Sequence, residues 1–508
     1  MEPVWRNTIG DLIHRSARRN PEQVALHFAN RRWTYRELDE ASNRLARQLL
    51  GAGLEKGDRV AAYGRNSDGY LLLWLAAAKA GLVHVPVNYA LKGEELAYII
   101  KQSGSRALFC DPGLAAEVEA VRDRLQLEVV GSLRDGEDLD TLRLAQKGPA
   151  EPPAVELEDT DLVQLLYTSG TTSAPKGAMM THRSLIYEYI SSIQALDFQG
   201  EDVPLHALPL YHSAQMHVFL MPYLILGATN RLLETPDPET ILRVVKEEGI
   251  TSFFAPPTVW ISLLNHPAFQ VDSLRKGYYG ASIMPVPVLE KLRQAAPDLD
   301  LYNCFGQSEI GPLATVLRPE AHRDRPDSAG RPVLFVEMRV VDDEMRDVEP
   351  GGIGEILYRS PQLCQGYWDK PEETEQAFEE GWFHSGDLAR IDEEGYIYIV
   401  DRKRDVINTG GVLVASRDVE EAIYPHPAVK EVAVISTPDP KWIEAVTAIV
   451  VLKEGEQLEE AELIHFARER LAAHKVPKRV HFLDDLPRNA SGKILKRQLR
   501  EAYAGVKR

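Results

Sequence analysis

The sequence predicts an α/β fold, with a large N-terminal domain of layered α/β subdomains over residues 1–401 and a small α+β C-terminal domain over 402–508. Three observations carry this. The chain has 508 residues, too many for one ordinary hydrophobic core, so two or more domains are required. Short apolar runs of strand character alternate with helical stretches from about Ile9 onward, the pattern of layered α/β architecture. Hydrophobic residues make up 44% and charged residues 26%, which places the chain among globular proteins and not disordered ones.

Taken in order, Thr34 and Glu37 are spaced as a capping box, so a helix begins within Thr34–Leu38. Asp58–Tyr63 reads as a strand, as does Ala107–Cys110, which ends at the turn residues Asp111-Pro112-Gly113. The longest apolar stretch, Tyr70–Val87, is interrupted by Lys79 and broken by Gly81 and Pro86. It is a core helix running into a strand, not a membrane span. Pro149 and Pro152-Pro153 mark a connector before the next strand, Leu162–Tyr167. In the last hundred residues Ser416–Ile423 and Glu459–Ala473 read as helices, and Val429–Ile435 and Val446–Leu452 as strands.

Charge and cysteine usage exclude several classes. A net charge of −18 argues against a general nucleic-acid or anionic-membrane partner. Cys110, Cys304 and Cys364 are scattered without CxxC spacing, and the N-terminus lacks the apolar core of a signal peptide. Both point to a reducing, cytoplasmic setting. The oligomeric state is left open, with a homodimer among the options.

The chain is organised around Leu165–Met180, LLYTSGTTSAPKGAMM. A strand stops at six small residues, Thr168 to Ser173, five of them hydroxylic, and Pro175-Lys176-Gly177 closes the loop. Such a loop offers backbone N–H groups, hydroxyls and one cation to a small anion, most naturally a polyphosphate. Walker A matches poorly, because that pattern needs Gly before its Lys and Ser/Thr after it. Taken alone, the loop also reads as a polar surface turn between two strands.

Further stretches carry candidate chemistry. His206, His212 and His217 lie in apolar company, but no acid at a useful spacing supports a metal site, so a packed and hydrogen-bonded role is expected for His206. Ser252–Thr258 followed by a helix looks like a pocket wall, and Tyr278–Ser282 is a strand ending in small residues. Leu301–Gly311 reads LYNCFGQSEIG, in isolation a core strand ending in a turn. The Gly-Asp pair of WFHSGDL and the five charges Asp401–Asp405 would each pass as a turn. Residues 475–508 hold ten Lys/Arg against three Asp/Glu, a basic tail in an acidic chain that suits a solvated helix or a polyanionic nucleotide.

The loop resembles the phosphate-binding loop of the acyl-adenylate-forming superfamily, which comprises acyl-CoA synthetases, peptide-synthetase adenylation domains and luciferases. That loop reads roughly [YF]TSG[ST]TGxPKG, with Ser173 here in place of a glycine. Four more matches follow in family order: Pro209–Ser213, Phe305–Glu309, WFHSGDL, and PRNASGKILK over Pro487–Lys496. The resemblance covers nearly the whole chain. It implies a β-barrel-like part within the large domain and a mobile small domain turning on a hinge at Arg404. It implies ATP, Mg2+ and coenzyme A as cofactors and a small carboxylic acid as substrate.

Residue by residue, the resemblance gives Thr168, Ser169, Gly170, Thr171, Thr172 and Lys176 to the ATP phosphates. Phe305 would stack on adenine, with Gly280, Ala281 and Ser282 close by and Gly306 at the turn; the Asn303 amide would recognise the adenine amino group. Ser308 would reach the α-phosphate and Glu309 would hold Mg2+. Asp387 and Arg402 would take the ribose, and Lys493 the carboxylate and α-phosphate. His212, Met216, Phe219, Phe254, Ala281 and Gly306 would line the acyl pocket. Gly410 and Gly411 would border pantetheine, with Trp442, His474 and Lys475 near the CoA adenine. Val412-Leu413 and Ala415-Ser416 depart from the family's usual residues along the thiol tunnel.

No acid lies between Asp202 and Glu234 to pair with a substrate ammonium, which disfavours an amino acid. The expected activity is ATP-dependent formation of an acyl-AMP and then an acyl-CoA. A medium- or long-chain fatty acid is the expected substrate and an aryl acid the alternative. Transfer to an amine or an acyl-carrier protein, or a non-catalytic scaffold, are the competing readings.

Overall fold

The computed structural model describes residues 6–136, 139–168, 174–282, 284–410, 412–488 and 494–504. The chain divides into two compact units. The first comprises Met1–Pro326, Gly330–Glu337 and Arg359–Phe383, and the second Asp327–Ala329, Met338–Tyr358 and His384–Arg508.

The first unit is built on two sheets. One runs, in spatial order, Val129–Ser132, Ser105–Cys110, Arg59–Tyr63, Val83–Val87, Leu162–Thr168, Lys176–Thr181. Every pairing is parallel except the last, so Leu162–Thr168 and Lys176–Thr181 form an antiparallel hairpin on a parallel sheet. The other has a parallel centre of Asp300–Phe305, Lys276–Gly280, Ser252–Ala255, Pro204–His206, Asn230–Leu232 and Val24–Phe28, with antiparallel neighbours at both ends. Both sheets bury apolar residues on their faces, as parallel sheets must.

The expected core helix is Asp68–Ala80, every residue of it buried. Ser67 caps it by accepting from the Tyr70 amide, and Gly81 in the left-handed conformation ends it before the strand Val83–Val87. Lys79 is tolerated because its ammonium donates to Asp39 Oδ1 at 2.6 Å, Ser42 Oγ at 2.7 Å and Asn43 Oδ1 at 2.8 Å. The helix supplying those partners, Tyr35–Gly51, starts with the Thr34/Glu37 capping box. Among the described residues no helix is long and apolar enough to cross a membrane.

In the second unit, Ile353–Arg359 and Trp382–Ile391 pair within one sheet, with Ile397–Arg402 antiparallel on the latter. A second sheet runs Val412–Val414, Ile407–Thr409, Ile443–Leu452, Val429–Asp439, with Arg479–Leu483 also on Ile443–Leu452. Its strands alternate strictly: Val432 and Val434 face one core, Ala433 and Ile435 another, and helices cover both. Ser416–Ile423 forms as expected, whereas the next helix is Glu460–Arg468 and stops short of Ala473. Its fully buried anchors end at Ala467, and from there to Ala473 only Leu471 packs on the same core, from a bend. Arg404 falls between the two sheets of this unit, after Ile397–Arg402 and before Ile407–Thr409.

Candidate active site

The hairpin register pairs Thr168 with Lys176, so the two ends of the hydroxyl-rich loop are held side by side. Ser169, Gly170, Thr171 and Thr172 lie outside the described residues. The Lys176 ammonium stands 4.2 Å from the centre of the Tyr367 ring, and the Tyr367 hydroxyl donates to Glu309 Oε1 at 3.0 Å. Burial, and then the Glu309 carboxylate, push the phenol well above its usual range, so it stays a donor. Cation, ring and carboxylate form one chain. Tyr367 is pinned there because the backbone beside it pairs with the strand Lys176–Thr181: Gln365 donates to Met179 O and Trp368 to Gly177 O. Sequence reasoning missed Tyr367. The available signal was an aromatic pair, Tyr367-Trp368, directly after Gly366.

Phe305 ends a strand whose neighbour ends at Gly280, with Gly280 opposite Cys304. Gly306 follows at φ +155°, and a Cβ there would meet Pro312 O at 2.0 Å, so the chain can double back only with glycine. Ala314 then donates to Phe305 O at 2.9 Å, closing a compact turn over Ser308–Ile310. Glu309 is buried on this turn, Asn303, Phe305 and Ser308 are half-buried, and Ala281 and Ser282 are exposed. Ser308 Oγ lies 3.0 Å from Ser213 Oγ, tying the turn to the His212 segment.

Met216 and Phe219 stand on a π-helix, Ala214–Leu220, the rare wide helix found preferentially at functional sites. His212 precedes it, half-buried, its imidazole lowered by burial to about 4 and therefore neutral. Phe219 stacks face to face on Phe254, with centroids 4.2 Å apart and planes 15° apart. Tyr278, Phe198, Tyr223 and Tyr302 continue this as one buried aromatic block. His206 is hydrogen-bonded to Gln215 and Asn230, and His217 to Gln164 and Tyr189, as packed histidines. Among the described residues no cluster of His, Cys, Asp or Glu suits a metal ion on its own. A lone carboxylate such as Glu309 nevertheless fits Mg2+, which is commonly held by one or two carboxylates together with substrate phosphates.

In the second unit Asp387 faces Arg402 across two strands, carboxylate to Nε 3.2 Å. Its amide donates to Ser385 Oγ, and Glu355, which the sequence did not single out, accepts from the Gly386 amide at 3.0 Å. Arg404 is exposed. Gly410 donates to Trp442 O at 2.6 Å, and Lys441 and Lys478 flank the indole. Lys475 is engaged by the Asp418 carboxylate, and His474 is half-buried beside it in sequence. Gly411 and Lys493 lie outside the described residues.

A family model described as AMP-binding enzyme matches residues 13–368, and one for the AMP-binding enzyme C-terminal domain matches 418–493. The chain belongs to the AMP-binding enzyme family. Members of this family near it are whole-length matches. A feruloyl-CoA synthase from an Amycolatopsis species is 36% identical over 498 residues, spanning 97% of this chain and 99% of that protein. The Mycobacterium tuberculosis long-chain-fatty-acid–CoA ligase FadD13 is 34% identical, spanning 94% of each. The solved anthranilate CoA ligase AuaEII, in complex with anthranoyl-AMP, superposes with a TM-score of 0.92 at 26% identity, covering 99% of this chain and 98% of that one. As an AMP-binding enzyme the chain is an acid–thiol ligase that uses ATP and CoA.

Proposed function

We propose that this ligase activates an aromatic carboxylic acid and passes it to coenzyme A. The observation that carries the choice of acid is the Phe219–Phe254 stack and the aromatic block behind it. A flat ring would suit a wall of this kind, because aromatic rings prefer stacked or edge-to-face neighbours. An extended alkyl chain would have to separate a buried, stacked pair to go deeper. The similarity to a feruloyl-CoA synthase supports this reading. A fatty acid is the second reading, favoured by the similarity to FadD13.

In the first half-reaction a carboxylate oxygen of the substrate attacks the α-phosphorus of ATP, and the bond to pyrophosphate breaks, leaving acyl-AMP. Thr168 through Lys176 hold the β- and γ-phosphates; Tyr367 keeps the Lys176 ammonium beside the Glu309 carboxylate. Glu309 would hold Mg2+, which supplies charge neutralisation at the phosphates. Ser308 donates to the α-phosphate, Asp387 accepts from the ribose hydroxyls with Arg402 beside it, and Lys493 stabilises charge at the attacking carboxylate. In the second half-reaction the CoA sulfur attacks the acyl carbonyl, the bond to AMP breaks, and the thiol proton leaves to solvent. Gly410 and Gly411 border the pantetheine, Trp442, His474 and Lys475 lie near the CoA adenine, and Arg404 is the hinge between residues 1–401 and 402–508.

The test is AMP formation with CoA across benzoic, cinnamic and straight-chain C4–C16 acids. Aryl acids should show the highest kcat/KM. Faster turnover of C10–C16 acids would move the assignment to fatty acids, and an absence of acid-dependent AMP with every acid would remove the ligase reading.

A further inference from the structure

We propose that Glu188 and Gln362 are positioning residues for adenylation: a buried clamp that holds the Ser308–Glu309 turn from behind, touching no substrate. The inference rests on reading that turn as the one facing the nucleotide. Glu188 sits on the helix His182–Ala195 with no exposed surface, and Gln362 is equally buried. Gln362 Nε2 donates to Glu188 Oε2 at 2.6 Å, and lies 3.2 Å from Ile310 O and 3.1 Å from Leu313 O. Leu313 N donates to Glu188 Oε1 at 3.2 Å, and Ser192 Oγ to the same oxygen. Ser191 Oγ donates to Gln362 Oε1 at 2.6 Å, which fixes which end of the amide faces the turn. Gly311 lies flat against the acid; a Cβ there would come within 3.1 Å of the Glu188 side chain. With one Nε2 hydrogen on Glu188, the other is shared between the Ile310 and Leu313 carbonyls just after Glu309, and the Leu313 amide is met by the acid.

The arrangement is costly to leave incomplete, because a buried polar group that loses its partner keeps its full desolvation penalty. Apolar residues in their place would leave the Ile310 carbonyl and both Leu313 backbone groups unpartnered. What the acid and amide add is directionality: they fix where Ile310 O, Leu313 O and Leu313 N point, and with them the path of Ser308 and Glu309. The turn is held further by the Cys364 amide donating to Glu309 O at 2.8 Å and by Tyr367 on the carboxylate. The clamp thus holds the backbone that follows Glu309, and Tyr367 holds its carboxylate.

Glu188→Gln keeps the shape but leaves one acceptor oxygen where the carboxylate has two, so an NH2 group must face either Gln362 Nε2 or the Leu313 amide. Ser191→Ala removes only the hydroxyl that orients Gln362 and serves if the first variant fails to fold. Each is compared with the unmodified enzyme by melting temperature, titration of active sites through single-turnover acyl-AMP, and acid-dependent pyrophosphate exchange at varied ATP·Mg2+ and varied acid. Per active site, the expected result is an apparent KM for ATP·Mg2+ raised about tenfold in Glu188→Gln and a few-fold in Ser191→Ala, with KM for the acid unchanged. A fall in active-site number with unaltered KM values, or normal KM for ATP·Mg2+ in a variant that melts normally, would overturn the clamp. Lack of exchange in the unmodified protein would instead overturn the nucleotide reading of the turn.

Discussion

The two units solve the same problem, polar groups inside a fold, in opposite ways. In the first, buried polarity is mostly neutral and hydrogen-bonded: His84–Gln164–His217–Tyr189 forms a continuous chain, His206 is held by Gln215 and Asn230, and Gln362 meets Glu188. Charged pairs also occur there, among them Lys79 with Asp39, Asp68 with Arg31, Asp111 with Arg134 and Lys276 with Asp202. In the second, the equivalent places are ionic. Asp401 accepts from the amide and hydroxyl of Ser416, Lys496 bonds Ser416 and Glu420, Arg500 pairs with Asp405, and Arg479 with Asp439. Neutral networks depend on direction and give a rigid frame for Glu309, Phe305 and the aromatic block. Ion pairs near the surface tolerate rearrangement and respond to salt. Those of the second unit cluster at 401–405, where the hinge is proposed.

Acid should expose this difference most strongly. Among the described residues, His84 and His217 are lowered to about 3, and His182, His206 and His322 to about 4, chiefly by burial. These five, and His212 at about 4, belong to the first unit. Their folded values lie below the unfolded 6.5, so the unfolded chain takes up protons first. Stability is full above about pH 6.5 and is lost as pH falls towards 4, at about 1.4 kcal/mol per histidine per pH unit. In the second unit Asp405 and Asp439 are held below the usual 3.8, so their contribution persists until more acidic pH. Hydrogen exchange at pH 7 and 5 should show the first unit losing protection by several kcal/mol before the second; simultaneous loss would break the contrast.

Next in size is Lys493→Ala, which should lower acid-dependent pyrophosphate exchange by about 10²-fold, while thioester formation from supplied acyl-AMP is largely kept. Equal loss in both half-reactions would contradict a role confined to adenylation. Lys496→Met leaves the Glu420 and Asp401 carboxylates uncompensated. Because Lys496 retains some exposure, a cost of about 1–3 kcal/mol is expected, between surface and buried pairs. The loss should appear in exchange protection of 384–504 and not in the first unit. The smallest effect concerns Arg404→Pro, which fixes φ at the proposed hinge. Single-turnover acyl-AMP should form normally while CoA-dependent AMP release slows several-fold, and an unchanged steady-state rate would place the hinge elsewhere.

What could be read in advance was local. The hairpin around the hydroxyl-rich loop, the capping box at Thr34, the core helix ending at Gly81 and the helix Ser416–Ile423 all follow from residues within a few positions of one another. Partners far apart in sequence were not readable. Nothing in either segment says that Leu26 pairs with Asn230, because periodicity reports which face is buried and not against what. Glu188 and Gln362 are 174 positions apart, and each alone looks like an ordinary surface residue of a helix or loop. Tyr367 escaped for the same reason. The motifs located the turn proposed to face the nucleotide; the residues proposed to aim it come from elsewhere in the chain.

The most direct test of the account is Gly411→Leu, assayed beside the unmodified protein for acid-dependent pyrophosphate exchange and for thioester formation with CoA. The account predicts near-normal exchange and a normal melting curve in the variant, with thioester formation abolished or the apparent KM for CoA sharply raised. Normal thioester formation in a normally melting variant would remove Gly411 from the thiol's path, and an unmodified protein that makes no thioester yet turns over with an amine would contradict the ligase assignment itself.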